Sequence, residues 1–188
     1  MSDRIPADIL NRFRLLAARE TLSGISSADV VALAEHTFAE GVYHDALLAI
    51  VDFHSQSWAQ VAAHLQRFCH DIGVPIGDTS WALQYLLDHH ITRMAQPGSD
   101  PDGELVALMH AVGPKTLEHI YQDQHTLGLD RILFLGMQFN YFMQFPDVPA
   151  DERESARQAS IGLIPEMRDA ANDWLKRHGT RRDKETSP

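Results

Sequence analysis

Apolar side chains recur along this chain with the pitch of an α-helix rather than with the alternation of a β-strand. The clearest segment begins after Ser57, a good N-terminal cap, and ends at Gly73. Its apolar residues share one helical face: Trp58, Val61, Ala62, Leu65, Phe68, Cys69 and Ile72. Alternation with a period of two is never sustained long enough to predict a sheet. The pattern therefore predicts an all-α protein.

Cap residues and helix breakers divide the chain into further helices. One helix is predicted from Ser26 or Ser27 to Gly41, and its neighbour, roughly 43–53, forms a helical hairpin with it. The loop at 96–102 is the strongest break, because it contains three residues that do not continue a helix: Pro97, Gly98 and Pro101. In all, the pattern predicts a compact irregular bundle of about eight or nine helices.

The segment at 129–145 is apolar on nearly every side. A helix of that kind belongs in the middle of a bundle or in an interface, so we expect a central helix here, through which a homo-oligomer could form. Proline residues predict helix boundaries on both sides. Pro114 begins the helix that precedes this segment, and Pro146 and Pro149 separate the segment from a charged helix at about 151–159. A last helix is predicted to begin after Pro165.

The length of 188 residues fits one domain of ordinary size. We expect a single helical domain over residues 1–179. The polar stretch at 180–188 has too few apolar residues to join a core, and we expect it to be a disordered tail.

Acidic residues outnumber basic ones, 26 to 16, and the formal net charge is −10. A negative field repels phosphate backbones and anionic lipid surfaces, which argues against nucleic acid and membranes as partners. No apolar run approaches the roughly 20 residues of a bilayer crossing. A basic protein partner is the expectation that remains.

Cys69 is the only cysteine, so the chain forms no internal disulfide and no thiolate zinc cluster. It lies on the core face of the clearest helix, where a thiol is desolvated and inert. The first residues also lack the pattern of a secretory signal. Together these features predict a cytoplasmic location.

The densest group of possible ligands among the eleven histidines is Asp88, His89 and His90. These residues fall in a helix that is apolar over most of its circumference, so one imidazole must point inward and needs a hydrogen-bond partner. Histidine and carboxylate side chains bind transition metals, which makes the three residues candidate metal ligands. The established metal, nucleophile and phosphate-binding motifs are absent from the sequence, and no cofactor or catalytic residue is predicted.

Three functions fit these observations. The first is a non-catalytic protein-binding module with an acidic surface and a basic partner. The second is a metal-dependent enzyme whose histidines converge from several helices around Asp88, His89 and His90. The third is a bundle that binds an apolar small ligand along the 129–145 helix, with amides supplying the polar contacts. The sequence leaves the choice between enzyme and binding protein open.

Overall fold

The computed structural model describes residues 5–52, 57–143 and 150–178. This part of the chain forms helices and no strand, which confirms the all-α prediction. In chain order the helices are α1 (Ala7–Leu22), α2 (Ser27–Ala39), α3 (Asp45–Val51), α4 (Trp58–Asp71), α5 (Thr79–Ala95), α6 (Pro101–Gln122), α7 (Gln124–Leu127), α8 (Asp130–Met143) and α9 (Ala150–His178).

The chain divides into two compact units, residues 1–86 and residues 87–188, with the boundary inside α5. The single domain over 1–179 stays a prediction. The predicted disordered tail at 180–188 lies outside the described residues.

The first unit is organised around an apolar core that α1, α2, α3 and α4 build together. The rings of Phe13 and Phe68 meet there with their centroids 4.6 Å apart. The buried members of the core are Ile9, Phe13, Leu16, Ala17, Val30, Ala34, Ala46, Leu47, Ile50, Val61, Leu65, Phe68, Cys69 and Val74. Four of the face residues predicted after Ser57 are among them, so the predicted stripe is the one that packs inward.

Side-chain caps mark three helix starts of the first unit, and those of α2 and α4 lie where the sequence predicted them. Ser26 accepts a hydrogen bond from the Asp29 N–H, and the Asp29 carboxylate accepts one from the Ser26 N–H. This reciprocal pair is a capping box. At α4, the Ser57 N–H donates to Gln60 Oε1 at 3.1 Å. The imidazole of His44 caps α3, with Nδ1 accepting the Ala46 N–H at 3.1 Å.

In the second unit, α8 and α9 pack against each other over much of their length, and α6 contacts both of them. Helix α6 is bent at Gly113, whose φ of 71° and ψ of 165° lie outside the helical region. Pro114 then starts the second part of α6, as predicted. In the first part of α6, before the bend, the Leu105 side chain lies directly against Gly136 of α8. A glycine there allows the two helices to approach closely.

The predicted boundary at Pro165 is wrong, because α9 continues through it from Ala150 to His178. A proline inside a helix removes one backbone hydrogen bond and costs roughly 3 kcal/mol. The packing of α9 against α8 outweighs that local cost. The hydrogen bond from Trp174 Nε1 to the Leu127 carbonyl, at 2.8 Å, also ties α9 to the end of α7, just before α8 begins.

Candidate functional site

A network of one imidazole, one carboxylate and one guanidinium joins α5 to α6 in the second unit. His90 is only 7% exposed, and its Nδ1 lies 2.9 Å from Glu104 Oε2. Arg93, one turn further along α5, donates from Nε to Glu104 Oε1 at 2.6 Å. Both oxygens of the Glu104 carboxylate are therefore occupied, one by each partner. The inward imidazole that the sequence requires is thus His90.

Local structure on each side of the 96–100 loop brings these groups together. His90 and Arg93 are three residues apart on α5, which places them on one face of the helix. Across the loop, the Asp100 carboxylate accepts the Gly103 N–H at 3.1 Å and caps the start of α6. Glu104 lies in the first turn of α6, where a negative charge is favoured by the helix dipole.

Burial by itself raises the pKa of the Glu104 carboxyl, because it disfavours the charged form. The hydrogen bonds from His90 and Arg93, and the positive charge of Arg93, outweigh burial and bring that pKa below its ordinary value of 4.5. Glu104 is therefore ionised at neutral pH. Its carboxylate orients the His90 ring, as the acidic member of a catalytic triad orients its histidine. Here the buried network also ties α6 to α5.

Asp88, His89 and His90 occupy consecutive positions of α5. Neighbouring residues of a helix point about 100° apart, so three in a row do not converge on one point. The rings of His89 and His90 meet edge to face, with their centroids 5.0 Å apart. Within residues 5–52, 57–143 and 150–178, no three His, Cys, Asp or Glu side chains are arranged to hold a metal ion. Metal binding by these three residues stays a prediction.

Cys69 is fully buried, as predicted from its position on the core face of its helix. Burial raises the pKa of the Cys69 thiol to about 12. The thiolate is therefore scarce at neutral pH, and the chemistry available to a reactive cysteine is not available to this one.

A second candidate region is the outward side of α8. Phe134 is 58% exposed and Met137 is 61% exposed, and the two are three residues apart on one helical face. We call these two residues the apolar row. Other residues of the same helix face the interior: Ile132, Leu133 and Leu135. Over residues 131–138, the other described side chains thus cover one side of α8 and leave Phe134 and Met137 mostly exposed.

Two close approaches define how α9 lies beside the start of α8. A Cβ added to Gly128 would lie 2.8 Å from Cε1 of His178. Arg131 Nη1 lies 3.5 Å from Asp173 Oδ2. Residue numbers rise along one helix as they fall along the other, so α8 and α9 are antiparallel.

Three acidic side chains lie on the part of α9 that runs beside the apolar row of α8. Asp169 and Glu166 precede Asp173 by four and seven residues, which is the spacing of one helical face, and all three are exposed. Because both helices rise about 1.5 Å per residue, the register set by Arg131 and Asp173 places Phe134 within about one residue of the level of Asp169, and Met137 within about one residue of the level of Glu166. We call Glu166, Asp169 and Asp173 the acidic row, and the two rows together the α8–α9 face.

Sequence reasoning found His90 but missed its partners Glu104 and Arg93. Nothing in the sequence marks which carboxylate a buried imidazole will meet across a loop. The acidic row, by contrast, can be recognised in the sequence from the helical spacing of Glu166, Asp169 and Asp173. The sequence analysis did not single it out, because the predicted break at Pro165 divided α9 into two helices.

Comparison of the chain with protein-family models, with curated proteins and with solved structures finds no match. Among the described residues, no helix combines the length and the apolar character needed to cross a membrane.

Proposed function

We propose that this chain is a non-catalytic protein-binding module and that the α8–α9 face is its contact surface. The observation that carries the proposal is the apolar row: Phe134 and Met137 are both more than half exposed and adjoin each other on one helix. Large apolar side chains that are grouped at the surface and rimmed by polar residues are typical of interaction sites.

The residue types support the same function. Aromatic residues and methionine are enriched in protein interfaces, where they bury much surface, and methionine adapts its shape to different partners. The interior side of α8 is already packed, so the folding of this helix does not require Phe134 or Met137 to be apolar.

Net charge supports a basic partner. At −10, the chain attracts positively charged proteins, which speeds association and makes it depend on salt. A single cysteine also suits a reducing compartment, and we propose that binding takes place in the cytoplasm.

The test compares three immobilised proteins: the wild type, the double variant Phe134→Gln with Met137→Gln, and the control Leu48→Gln. Leu48 is 53% exposed and belongs to the first unit. The control therefore also replaces an exposed apolar side chain by Gln, but away from the α8–α9 face. Proteins retained from a lysate of the source cells are quantified by mass spectrometry. We expect one protein to be retained by the wild type and the control and lost from the double variant.

Circular dichroism of each variant verifies that the helices are intact. If the double variant retains the same proteins in the same amounts as the wild type, the α8–α9 face is not the contact surface and the proposal is wrong.

A further inference from the structure

Building on this proposed function, we infer that the partner docks an amphipathic, basic α-helix along the α8–α9 face. Its apolar side chains cover Phe134 and Met137, and its Lys or Arg side chains face the acidic row. The inference rests on the proposed function and adds the chemistry and the shape of the partner.

The apolar row favours a helical partner. Phe134 and Met137 are one helical turn apart, and α9 runs beside them, so the face is an elongated strip along two antiparallel helices. An amphipathic helix that lies along such a strip presents apolar residues at intervals of three and four positions. That interval matches the spacing of the apolar row.

The acidic row favours a basic partner. Neither Glu166 nor Asp169 has an ion-pair partner among the described residues, whereas Asp173 lies 3.5 Å from Arg131 and 3.4 Å from Lys176. Two carboxylates beside the apolar row are thus available to positive charges from outside. From Glu166 to Asp173 the row rises by seven residue steps, about 10 Å, and a helix with basic residues at positions i, i+4 and i+7 spans the same length.

Charge also argues against a second copy of this chain as the occupant. Two copies joined through this face would bring two acidic rows together, in a protein whose net charge is already −10. Like charges brought close together at an interface oppose association. A basic helix neutralises the row instead.

The experiment uses the full chain and three synthetic peptides of about 16 residues as probes. The peptides share one helical apolar stripe, with Leu at positions i, i+3, i+4 and i+7, and carry Lys, Glu or Gln on its flanks. Binding is measured by fluorescence anisotropy in about 50 mM and about 300 mM salt, since screening strengthens with ionic strength. We expect the Lys peptide to bind about tenfold more tightly than the Glu peptide at low salt, with a smaller ratio at high salt.

Two variants with equal net charge locate the effect. Glu166→Lys with Asp169→Lys reverses the acidic row, while Glu35→Lys with Glu118→Lys places the same charge change at exposed positions elsewhere. We expect the first variant to lose the preference for the Lys peptide and the second to keep most of it. Phe134→Gln with Met137→Gln should weaken the binding of all three peptides.

Several outcomes would overturn the inference: equal binding of the Lys and Glu peptides, no binding of any peptide, or an equal loss of preference in the two charge variants. Sedimentation that reveals a dimer dependent on Phe134 and Met137 would also overturn it, in favour of a second copy. The proposed function has its own test, because a partner lost from the Phe134→Gln, Met137→Gln double variant supports it even if the peptide preference is absent.

Discussion

Among the described residues, the buried polar side chain of the first unit is Thr37 and that of the second unit is His90, and the two are satisfied in different ways. The Thr37 hydroxyl donates to the Leu33 carbonyl of its own helix at 2.7 Å. His90 depends on Glu104, a charged residue of another helix. The first unit can therefore hold its buried polar group by local structure, while the second needs tertiary structure to do so.

Exposed apolar residues differ between the two units in a similar way. In the first unit, Tyr43 and Leu48 flank the cap of α3, and the Tyr43 ring lies 5.6 Å from that of Phe38. Apolar residues on either side of a helix cap commonly serve to fix the helix start. In the second unit, Phe134 and Met137 lie in the middle of a helix, beside two carboxylates, Glu166 and Asp169, that have no ion-pair partner in the part of the chain that the structure describes. The helix-cap role that accounts for the exposed apolar residues of the first unit therefore does not apply to Phe134 and Met137.

The largest effect should come from the apolar core of the first unit. We expect Phe68→Ala to lower the free energy of unfolding by about 3–5 kcal/mol, because it leaves a cavity beside Phe13. Urea unfolding followed by circular dichroism measures the change. The control Leu48→Ala should cost less than about 1 kcal/mol, because Leu48 is 53% exposed and contributes to the helix start rather than to the core. Equal effects of the two substitutions would contradict the core as described.

The next effect tests the buried network of the second unit. Glu104→Gln keeps the shape of the side chain and removes its charge, and we expect it to lower the free energy of unfolding by about 2 kcal/mol at pH 7. The folded-state pKa of Glu104 is depressed, so its contribution is present above pH 4.5 and is lost as the pH falls through the folded-state value. The difference between wild type and variant should therefore shrink in acid.

Urea unfolding at a series of pH values between 7 and 3 measures that difference. Glu118→Gln, at an exposed position of the same helix, is the matched control and should leave the profile close to that of the wild type. A Glu104 variant whose destabilisation is the same at every pH would show that the ion pair does not contribute as described.

A smaller effect tests the close approach of α6 and α8. A Cβ at Gly136 would overlap the Leu105 side chain, whereas a Cβ at Gly162 of α9 meets nothing within 4 Å. Gly136→Ala should therefore destabilise by about 1–2 kcal/mol, and Gly162→Ala should stabilise by up to about 1 kcal/mol. Thermal unfolding of both variants gives the comparison, and shifts of the same sign would argue against this close approach.

The smallest effect sharpens the distinction between folding and binding in the second unit. Phe134→Gln with Met137→Gln should change the free energy of unfolding by less than about 0.5 kcal/mol, because both side chains are mostly exposed. Chemical unfolding of the double variant measures this directly. A loss of several kcal/mol would mean that the apolar row stabilises the fold itself.

The sequence by itself determined the helical character of the chain, several helix starts and the inward position of Cys69. These depend on residues that are near one another in the chain: the stripe after Ser57, the capping pair of Ser26 and Asp29, and the break before Pro114. Local hydrogen bonds and apolar periodicity act within a few turns of a helix, so a sequence displays them directly.

Only the tertiary structure decided which faces meet. It paired His90 with Glu104, carried α9 through Pro165, and left Phe134 and Met137 exposed on a helix that is apolar all round. Each of these depends on contacts between residues far apart in the chain. Their free energies come from packing and charge pairing between helices, and periodicity within one helix does not specify its neighbours.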